Sequence, residues 1–358
     1  MKPFKILAFS FMTLGCLAGT KPPLESQSID LVIHINGERI GGTLTIPDNR
    51  KEKSLVIMSS GSGPQDRDET LYDFKIFKVI AEHLASKGIA SFRYDDRGVG
   101  GSTGDFANST MEDLSRDLEG IMDHFKSAKI HSFQDFILFG HSQGGILAAH
   151  VAERNDAVKN VILMGAPAVP LVEVVLYQVR HEYEQSKISG SLIEAHVSAH
   201  NKLMRAISDN QHIDQAHLLL SQTTESILLK LDSGEDERDI QNIRQQAGAR
   251  ADQLQIVYGL PSLASFLYHD PSKDYERLKV PVLGLFGGLD SQVPIYQNKD
   301  RMENALLKSG AAYHLITFDK ANHFFQEATT GNSEEYPMLA KKFVDNFLDE
   351  ISNWILAN

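Results

Sequence analysis

Six short segments dominated by apolar residues constrain the fold of this chain more than any other feature. In chain order, between positions 54 and 319, they read SLVIMSS, IASFRYD, FILFG, NVILMG, PVLGLFGG and HLITFD. Strands that are apolar on both faces are buried on both faces, which is typical of a mostly parallel sheet covered by helices. Apolar residues recur at helical spacing in residues 71–87, 110–127, 144–153 and 336–356. The sequence therefore predicts an α/β fold with a mostly parallel central sheet and flanking helices.

The chain opens with a different pattern. Residues 29–35 and 40–46 are rich in β-branched side chains and flank Asn36-Gly37. Asn-Gly between two such runs is the strongest short signal for a hairpin. We therefore predict an antiparallel pair of strands before the parallel part of the sheet.

Residues 168–276 interrupt the alternation of strands and helices. They contain no convincing strand pattern, and an ordinary crossover needs far fewer residues. Helical spacing occurs within them at residues 172–185, 191–207, 214–231 and 237–255. We predict an inserted helical cap, called the insertion below, between two parts of the core at 27–167 and 277–358. The alternative is a crossover helix with a solvated appendage.

Composition excludes several classes of function. Asp and Glu number 47 against 35 Lys and Arg, which gives a formal net charge of −12, and no Lys/Arg-rich stretch stands out. We therefore expect no nucleic-acid partner. Cys16 is the only cysteine, which excludes a disulfide framework and a thiolate metal site within one chain.

Residues 1–20 have the pattern of an export signal. Two lysines precede an apolar run at 6–18, which is shorter than the roughly 20 residues that span a bilayer. The run ends in Leu-Gly-Cys and resembles a bacterial lipoprotein signal, with Cys16 as the acylated first mature residue, although Thr13 stands where Leu is usual. Ordinary secretory cleavage and an uncleaved anchor are the alternatives. We expect export to the cell envelope, with membrane contact only through a lipid on Cys16.

The motif GHSQGG at 140–145 contains G-x-S-x-G and predicts a nucleophile. It follows the strand FILFG directly and runs into the helical pattern GGILAAHVAE, which is the strand, sharp turn and helix of a nucleophile elbow. Glycines at 140 and 144 suit this turn because a Cβ there would collide with neighbouring backbone. We predict Ser142 as the nucleophile of an acyl transfer; a serine that merely caps a helix is the alternative.

A serine hydroxyl needs an imidazole base and a carboxylate to attack at neutral pH. Of the fourteen histidines, His323 lies just after the last strand pattern, and Asp290 follows the strand PVLGLFGG. The resulting order of Ser, Asp and His is the one that this architecture uses. Asp290 as a helix N-cap and His323 as a backbone-bonding loop residue are the alternatives, and Asp319 is the rival acid.

Acyl transfer also needs donors for the oxyanion, ordinarily two backbone N–H groups. We predict the N–H of Gln143, the residue after the nucleophile, and a second from the Gly-rich loop after SLVIMSS. Ser62 is the first choice there and Gly63 the second. The charged residues 66–68 are expected to fasten this loop rather than to take part in chemistry.

Three further patterns contain residue types that can carry chemistry. His141, next to the nucleophile, is expected to pack or to bond backbone rather than to act as a base. His196 and His200 have a spacing that could hold a metal, but no acidic or cysteine ligand accompanies them, so a solvated helix face and no metal are predicted. The Gly-rich segment 94–104 lacks the spacing of a phosphate-binding loop and is expected to be a salt-bridged turn.

The motifs GSGPQDRDE, RYDDRGVGGSTGDF, GHSQGG, GLDSQVP and NHFF, in that order, resemble the α/β-hydrolase superfamily. More narrowly they resemble a branch of bacterial secreted serine esterases in which Ser-Gly, here at 60–61, replaces the usual His-Gly oxyanion motif. The resemblance covers residues 50–167 and 277–345. It implies an α/β-hydrolase fold and carboxylester hydrolysis without a cofactor, by Ser142, Asp290 and His323.

The function expected from the sequence is therefore that of a serine carboxylesterase that cleaves a small-molecule ester through an acyl-enzyme on Ser142. A peptidase, an amidase or another acyl hydrolase, such as a thioesterase or a carbon–carbon bond hydrolase, is the alternative on the same residues. A catalytically silent envelope-binding protein is the alternative from another class. The apolar stretches 174–177 and 218–220 of the insertion could line a substrate pocket or belong to its core.

Overall fold

The computed structural model describes residues 26–184, 186–231 and 237–358, so the predicted signal with Cys16 lies outside the described residues. Its main strands are β1 (Ser26–Ile35), β2 (Glu38–Pro47), β3 (Leu55–Ser59), β6 (Ser91–Tyr94), β7 (Phe136–His141), β8 (Val158–Met164), β9 (Val282–Gly287) and β10 (Tyr313–Phe318). A separate small hairpin consists of β4 (Thr70–Leu71) and β5 (Phe74–Lys75).

The main strands form one sheet in the order β1-β2-β6-β3-β7-β8-β9-β10. β1 pairs antiparallel with β2, and β2 pairs antiparallel with β6, whereas every other neighbouring pair is parallel. Asn36 and Gly37 connect β1 to β2 with φ values of 50° and 90°, the left-handed backbone that a tight hairpin turn requires. The predicted hairpin and the predicted mostly parallel sheet are both confirmed.

Helices cover both faces of the sheet. Those of the core are α1 (Ile76–Ser86), α2 (Met111–Ser127), α3 (Gln143–Ala152), α10 (Ile295–Ser309) and α11 (Phe347–Ala357). On one face, Phe77 of α1 and Phe347 of α11 pack in the same apolar cluster as Val56 of β3. On the other, Leu118 of α2 and Ile146 of α3 belong to a second cluster. The sheet is thus buried on both sides, as its apolar strands require.

The helix predicted at 336–356 is wrong over its first half. A 3₁₀ helix at Ser333–Met338 contains Pro337, which lacks the N–H that a continuing α-helix needs. The chain then continues without regular helix to Asn346, which has a φ of 65° and directly precedes α11. Helix α10 was not predicted, although its buried residues have helical spacing: Asn298, Met302, Ala305 and Leu306.

The insertion is helical throughout the described residues. Its helices are α4 (Leu171–Glu184), α5 (Gly190–Asp209), α6 (Ile213–Leu231), α7 (Glu237–Gly259), α8 (Pro261–Leu267) and α9 (Pro271–Tyr275). The first four correspond to the predicted ones, and the short α8 and α9 were not predicted. No helix in the described segments combines the length and the apolar character needed to cross a membrane.

Candidate active site

Ser142 lies on a strained turn between β7 and α3. Its φ is 52° and its ψ is −120°, a conformation that L-residues rarely adopt. The turn is so tight that it leaves no room for a side chain at Gly144, where a Cβ would lie 2.2 Å from the carbonyl oxygen of Ser59. The N–H of Ser142 donates to the carbonyl of Met164 in β8, with an N–O distance of 2.9 Å. Strand, turn and helix together form the elbow that the motif predicts.

Asp290 and His323 form a buried hydrogen bond. Asp290 lies in the loop after β9, His323 lies in the loop after β10, and Nδ1 of His323 is 2.7 Å from Oδ2 of Asp290. The other carboxylate oxygen of Asp290 accepts the N–H groups of Gln292 and Val293, with N–O distances of 2.9 and 2.8 Å. The rival acid Asp319 is exposed. Two backbone N–H groups therefore fix the orientation of the carboxylate that binds the imidazole.

Ser142 and His323 line one cavity of about 180 Å³. Its apolar wall includes residues of the insertion, among them Val174 and Val175 of α4 and Leu263 of α8. The structure thus brings the nucleophile and the base to one cavity, and Asp290 is hydrogen-bonded to Nδ1 of that base. The stretch 218–220 is not part of this wall.

The predicted oxyanion donors flank the nucleophile. Ser62 lines the cavity, and Gln143 begins α3. Neither N–H donates to a protein acceptor within the segments that the structure describes, so both stay available to a substrate. The N–H of Gly61 is already taken, because it donates to Oε1 of Glu69 with an N–O distance of 2.7 Å. Gly63, the second choice, is not among the residues that line the cavity.

Charged residues fasten the loop that carries Ser62. The guanidinium of Arg67 donates to both oxygens of Asp95, with N–O distances of 3.0 and 2.6 Å. Oδ2 of Asp96 accepts hydrogen bonds from Oγ of Ser60 and from the N–H of Gln65, at 3.0 and 2.9 Å. Burial raises the pKa of Asp96 to about 7. The charge of Arg67 therefore fastens its loop, and the segment 94–104 is a salt-bridged turn, as the sequence predicts; the structure adds that the two segments bind each other.

Glu69 also belongs to this site, although no pattern in the sequence predicts a role for it. It lines the cavity, and its Oε1 is 2.7 Å from Nδ1 of His141. Nε2 of His141 is 3.1 Å from the carbonyl oxygen of His323, so His141 bonds backbone, which is one of the two roles predicted for it. Nothing in a single sequence distinguishes Glu69 from the other acidic residues of its loop.

The prediction of a solvated face for His196 and His200 is wrong. Both side chains are buried in the insertion, and their Nε2 atoms are 3.1 Å apart. Nδ1 of His196 is 3.0 Å from Oγ1 of Thr223 in α6, and Nδ1 of His200 is 2.6 Å from the hydroxyl of Tyr258 in α7. Every ring nitrogen thus has a protein partner, which leaves none to bind a metal.

A second group of metal-ligand residue types was also not foreseen. His150, His269 and Asp274 offer ligand atoms that lie within 4.8 Å of one another. However, Nε2 of His269 is 2.6 Å from Oδ2 of Asp274, and the guanidinium of Arg277 donates to Oδ1 at 2.6 Å. Both carboxylate oxygens are therefore engaged, and an adjacent guanidinium repels a cation. We interpret this cluster as an ion-pair network and not as a metal site.

Two family models match separate parts of the chain. A model described as serine aminopeptidase, S33, matches residues 74–228, which include Ser142. A model of the dienelactone hydrolase family matches residues 245–350, which include Asp290 and His323. Each match covers less than half of the chain.

Similar proteins include esterases and a peptidase. Esterase EstD from Thermotoga maritima is 28% identical over 333 residues, which cover 90% of this chain and 66% of EstD, so the chain spans just under two thirds of that relative's length. Proline iminopeptidase from Mycobacterium smegmatis superimposes with a TM-score of 0.51 at 13% identity, over 91% of this chain and 97% of that one. The Pyrococcus furiosus esterase Pf2001 gives a TM-score of 0.51 at 12% identity, over 95% and 92%. These likenesses confirm the predicted α/β-hydrolase fold.

Proposed function

We propose that this chain, which has the α/β-hydrolase fold, is a serine carboxylesterase. The observation that carries the proposal is the buried hydrogen bond of 2.7 Å between His323 and Asp290, with His323 and the strained Ser142 lining one cavity. An alcohol, an imidazole and a carboxylate in this arrangement are the components of acyl transfer through a covalent intermediate. The similarity to EstD supports an ester as the substrate.

In the proposed reaction, Oγ of Ser142 attacks the ester carbonyl carbon while Nε2 of His323 takes the hydroxyl proton. Asp290 holds the Nδ1–H of His323 and stabilises the imidazolium that forms. The N–H groups of Gln143 and Ser62 bind the oxyanion, and the amino-terminal end of α3 favours its negative charge. When the intermediate collapses, His323 returns the proton to the departing alcohol. Water activated by His323 then hydrolyses the acyl-enzyme, which releases the acid and frees Ser142.

The cavity favours a small substrate. Its volume of about 180 Å³ is below the roughly 300–1,000 Å³ of sites for drug-sized ligands. A polar recess of about 600 Å³ adjoins it and shares Gln178 and Gln292 with it. We therefore propose a small ester with one apolar and one polar part.

Replacement of the nucleophile tests the proposal. Ser142→Ala should abolish hydrolysis of p-nitrophenyl acetate and labelling by a fluorophosphonate probe, since both need the activated hydroxyl, while circular dichroism stays that of the wild type. Ser127→Ala, at an exposed serine of α2, is the matched control and should keep both activities. Retained hydrolysis or labelling in Ser142→Ala would refute the assignment, and absent labelling of the wild type would favour a silent binding protein.

Amide hydrolysis is the second candidate, because the model that matches residues 74–228 is described as a serine aminopeptidase. Esters have the better leaving group, so an esterase hydrolyses an ester faster than the anilide with the same acyl part. We expect kcat/KM to favour p-nitrophenyl esters over matched p-nitroanilides, and to fall as the acyl chain outgrows the cavity. A higher kcat/KM for the aminoacyl anilide would identify a peptidase.

For the location of the protein, we propose export to the cell envelope with a lipid on Cys16, on the signal pattern of residues 1–20. In a bacterial host, the full chain should incorporate a clickable palmitate analogue, and Cys16→Ser should not. Incorporation that persists in Cys16→Ser, or that is absent from the wild type, contradicts acylation at this cysteine.

A further inference from the structure

A second buried acid–imidazole pair, Glu69 and His141, lies beside the proposed triad. Their side chains are 3% and 1% exposed, and 2.7 Å separate Oε1 of Glu69 from Nδ1 of His141. Glu69 accepts a hydrogen bond from the N–H of Gly61, which is next to Ser62. Nε2 of His141 lies 3.1 Å from the carbonyl oxygen of His323. The pair therefore connects the three segments that supply an oxyanion donor, the nucleophile and the base.

The hydrogen-bond partners determine the protonation of His141. A carbonyl oxygen only accepts, so Nε2 carries a proton toward His323. An ionised carboxylate also only accepts, so Nδ1 carries a second proton toward Glu69. Burial lowers the pKa of His141, but the charge and hydrogen bond of Glu69 outweigh it and raise the pKa above its ordinary value. His141 is thus an imidazolium whose charge Glu69 balances.

The pair packs directly against the nucleophile turn. A Cβ at Gly61 would lie 3.2 Å from Oε1 of Glu69, 3.3 Å from Cβ of Ser142 and 3.4 Å from Nδ1 of His141. Glycine at this position therefore lets the loop after β3 approach both residues of the pair and the nucleophile closely. Displacement of the pair would move this loop relative to Ser142.

From this arrangement we infer that Glu69 and His141 are positioning residues, which fix the oxyanion loop and the backbone of His323 relative to Ser142. The inference rests on the proposed function. The pair exchanges no proton with the substrate; it sets the distances at which the reacting groups meet. Small misplacements of such groups reduce the rate of the chemical step while substrate binding is retained.

Glu69→Gln tests the inference because it keeps the shape of the side chain and an oxygen for Gly61, but its amide cannot balance the charge of His141. We expect kcat for p-nitrophenyl acetate to fall about ten- to a hundred-fold, with KM changed less than about three-fold. The rate is expressed per active site titrated with the fluorophosphonate, so that only folded enzyme is counted. Glu82→Gln, at an exposed glutamate of α1 that pairs with Lys78 at 3.8 Å, is the matched control and should keep both constants.

The outcomes separate this inference from the proposed function. An unchanged kcat in Glu69→Gln overturns the positioning role. A loss as complete as that of Ser142→Ala also overturns it, because Glu69 would then be a catalytic residue. An active Ser142→Ala would instead refute the proposed function itself.

A measurement on the wild type decides the question if Glu69→Gln does not fold. Gly140-His141 is the only Gly-His pair in the sequence, so ¹³C-carbonyl glycine combined with ¹³C,¹⁵N-histidine identifies His141 in NMR spectra. At pH 6.5 both ring nitrogens should have mainly the chemical shifts of an imidazolium, because the pKa of His141 lies above that value. A neutral ring without a proton on Nδ1 overturns the inference.

Discussion

At the scale of single residues, Asp96 makes the loop beside the nucleophile sensitive to pH. Its carboxylate accepts hydrogen bonds from Oγ of Ser60 and the N–H of Gln65. Burial raises the pKa of Asp96 from 3.8 to about 7. The native protein therefore binds this proton more tightly than the unfolded chain does. The contribution of Asp96 to stability is complete below pH 3.8 and is lost as the pH rises toward 7.

Asp96→Asn should remove this pH dependence. We expect the free energy of unfolding of the wild type to fall relative to that of Asp96→Asn between pH 4 and pH 7, and the difference to be constant outside that window. Urea denaturation at a series of pH values measures both curves. A difference that does not change between pH 4 and pH 7 would show that Asp96 titrates normally.

The sequence predicts the positions of site residues that directly follow strands, but it does not predict which other residues contact them in the fold. Ser142, Asp290 and His323 each come after a parallel strand, and the carboxyl ends of such strands meet at one edge of a sheet. Glu69 lies in a loop that has no periodic pattern, and its partner His141 is 72 positions away. Only the folded loop shows that they meet.

At the scale of elements, two buried histidines of α5 connect it to α6 and α7 through a directed chain of hydrogen bonds. Thr223 donates to the carbonyl of Leu220, so it accepts the Nδ1–H of His196. Nε2 of His196 then accepts from Nε2–H of His200, whose Nδ1 accepts the hydroxyl proton of Tyr258. Both imidazoles are therefore neutral, and one added proton breaks the chain.

Acid should destabilise the protein through this pair. Burial lowers the pKa of His196 to about 4 and that of His200 to about 3, from 6.5. Because the unfolded chain binds these protons first, the free energy of unfolding falls as the pH drops below 6.5, by up to about 1.4 kcal/mol per pH unit for each imidazole. Urea denaturation should show a shallower fall in His200→Gln and an unchanged one in His34→Gln, at an exposed histidine of β1. Equal slopes in all three proteins contradict the mechanism.

The wrong prediction of a solvated face for His196 and His200 shows that helical spacing predicts a helix but does not determine which of its faces is buried. The periodicity of α5 correctly predicts a helix, and Ile193, His196, Val197 and His200 share its buried face. Histidine suits a solvated surface as well as a paired interior, however, and the partners that decide between the two lie in other helices. Which face of an inserted helix is buried depends on those neighbours.

At the scale of the whole molecule, Asp274 fastens the insertion to the core. This fully buried residue of α9 meets His150 of α3 at 3.3 Å, His269 at 2.6 Å and Arg277 at 2.6 Å. Arg277 also reaches Glu153, at the end of α3, at 3.0 Å. Although burial opposes it, the hydrogen bonds from the two histidines lower the pKa of Asp274 to about 2.

Asp274→Asn should leave the guanidinium of Arg277 without its buried anion and weaken the contacts with His150 and His269. We expect the free energy of unfolding at pH 7 to fall by about 3 kcal/mol, and the loss to shrink as the pH drops from about 4 toward 2, where the wild-type carboxylate is protonated. Urea denaturation measures both values. Asp252→Asn, at an exposed aspartate that pairs with His217 at 2.8 Å, is the control and should change stability by less than about 1 kcal/mol.

The insertion leaves the core at the carboxyl edge of the sheet and returns at its amino edge, because it departs after β8 and returns before β9, and these strands pair directly in parallel from Val161↔Val282 to Met164↔Leu285. Replacement of the chain between β8 and β9 would leave the hydrogen bonds between these two strands in place, and it would keep Ser142, Asp290 and His323. Chimeras that carry a foreign helical segment on this scaffold would therefore separate substrate preference from chemical competence, provided that the new segment keeps an equivalent of the anchor at Asp274.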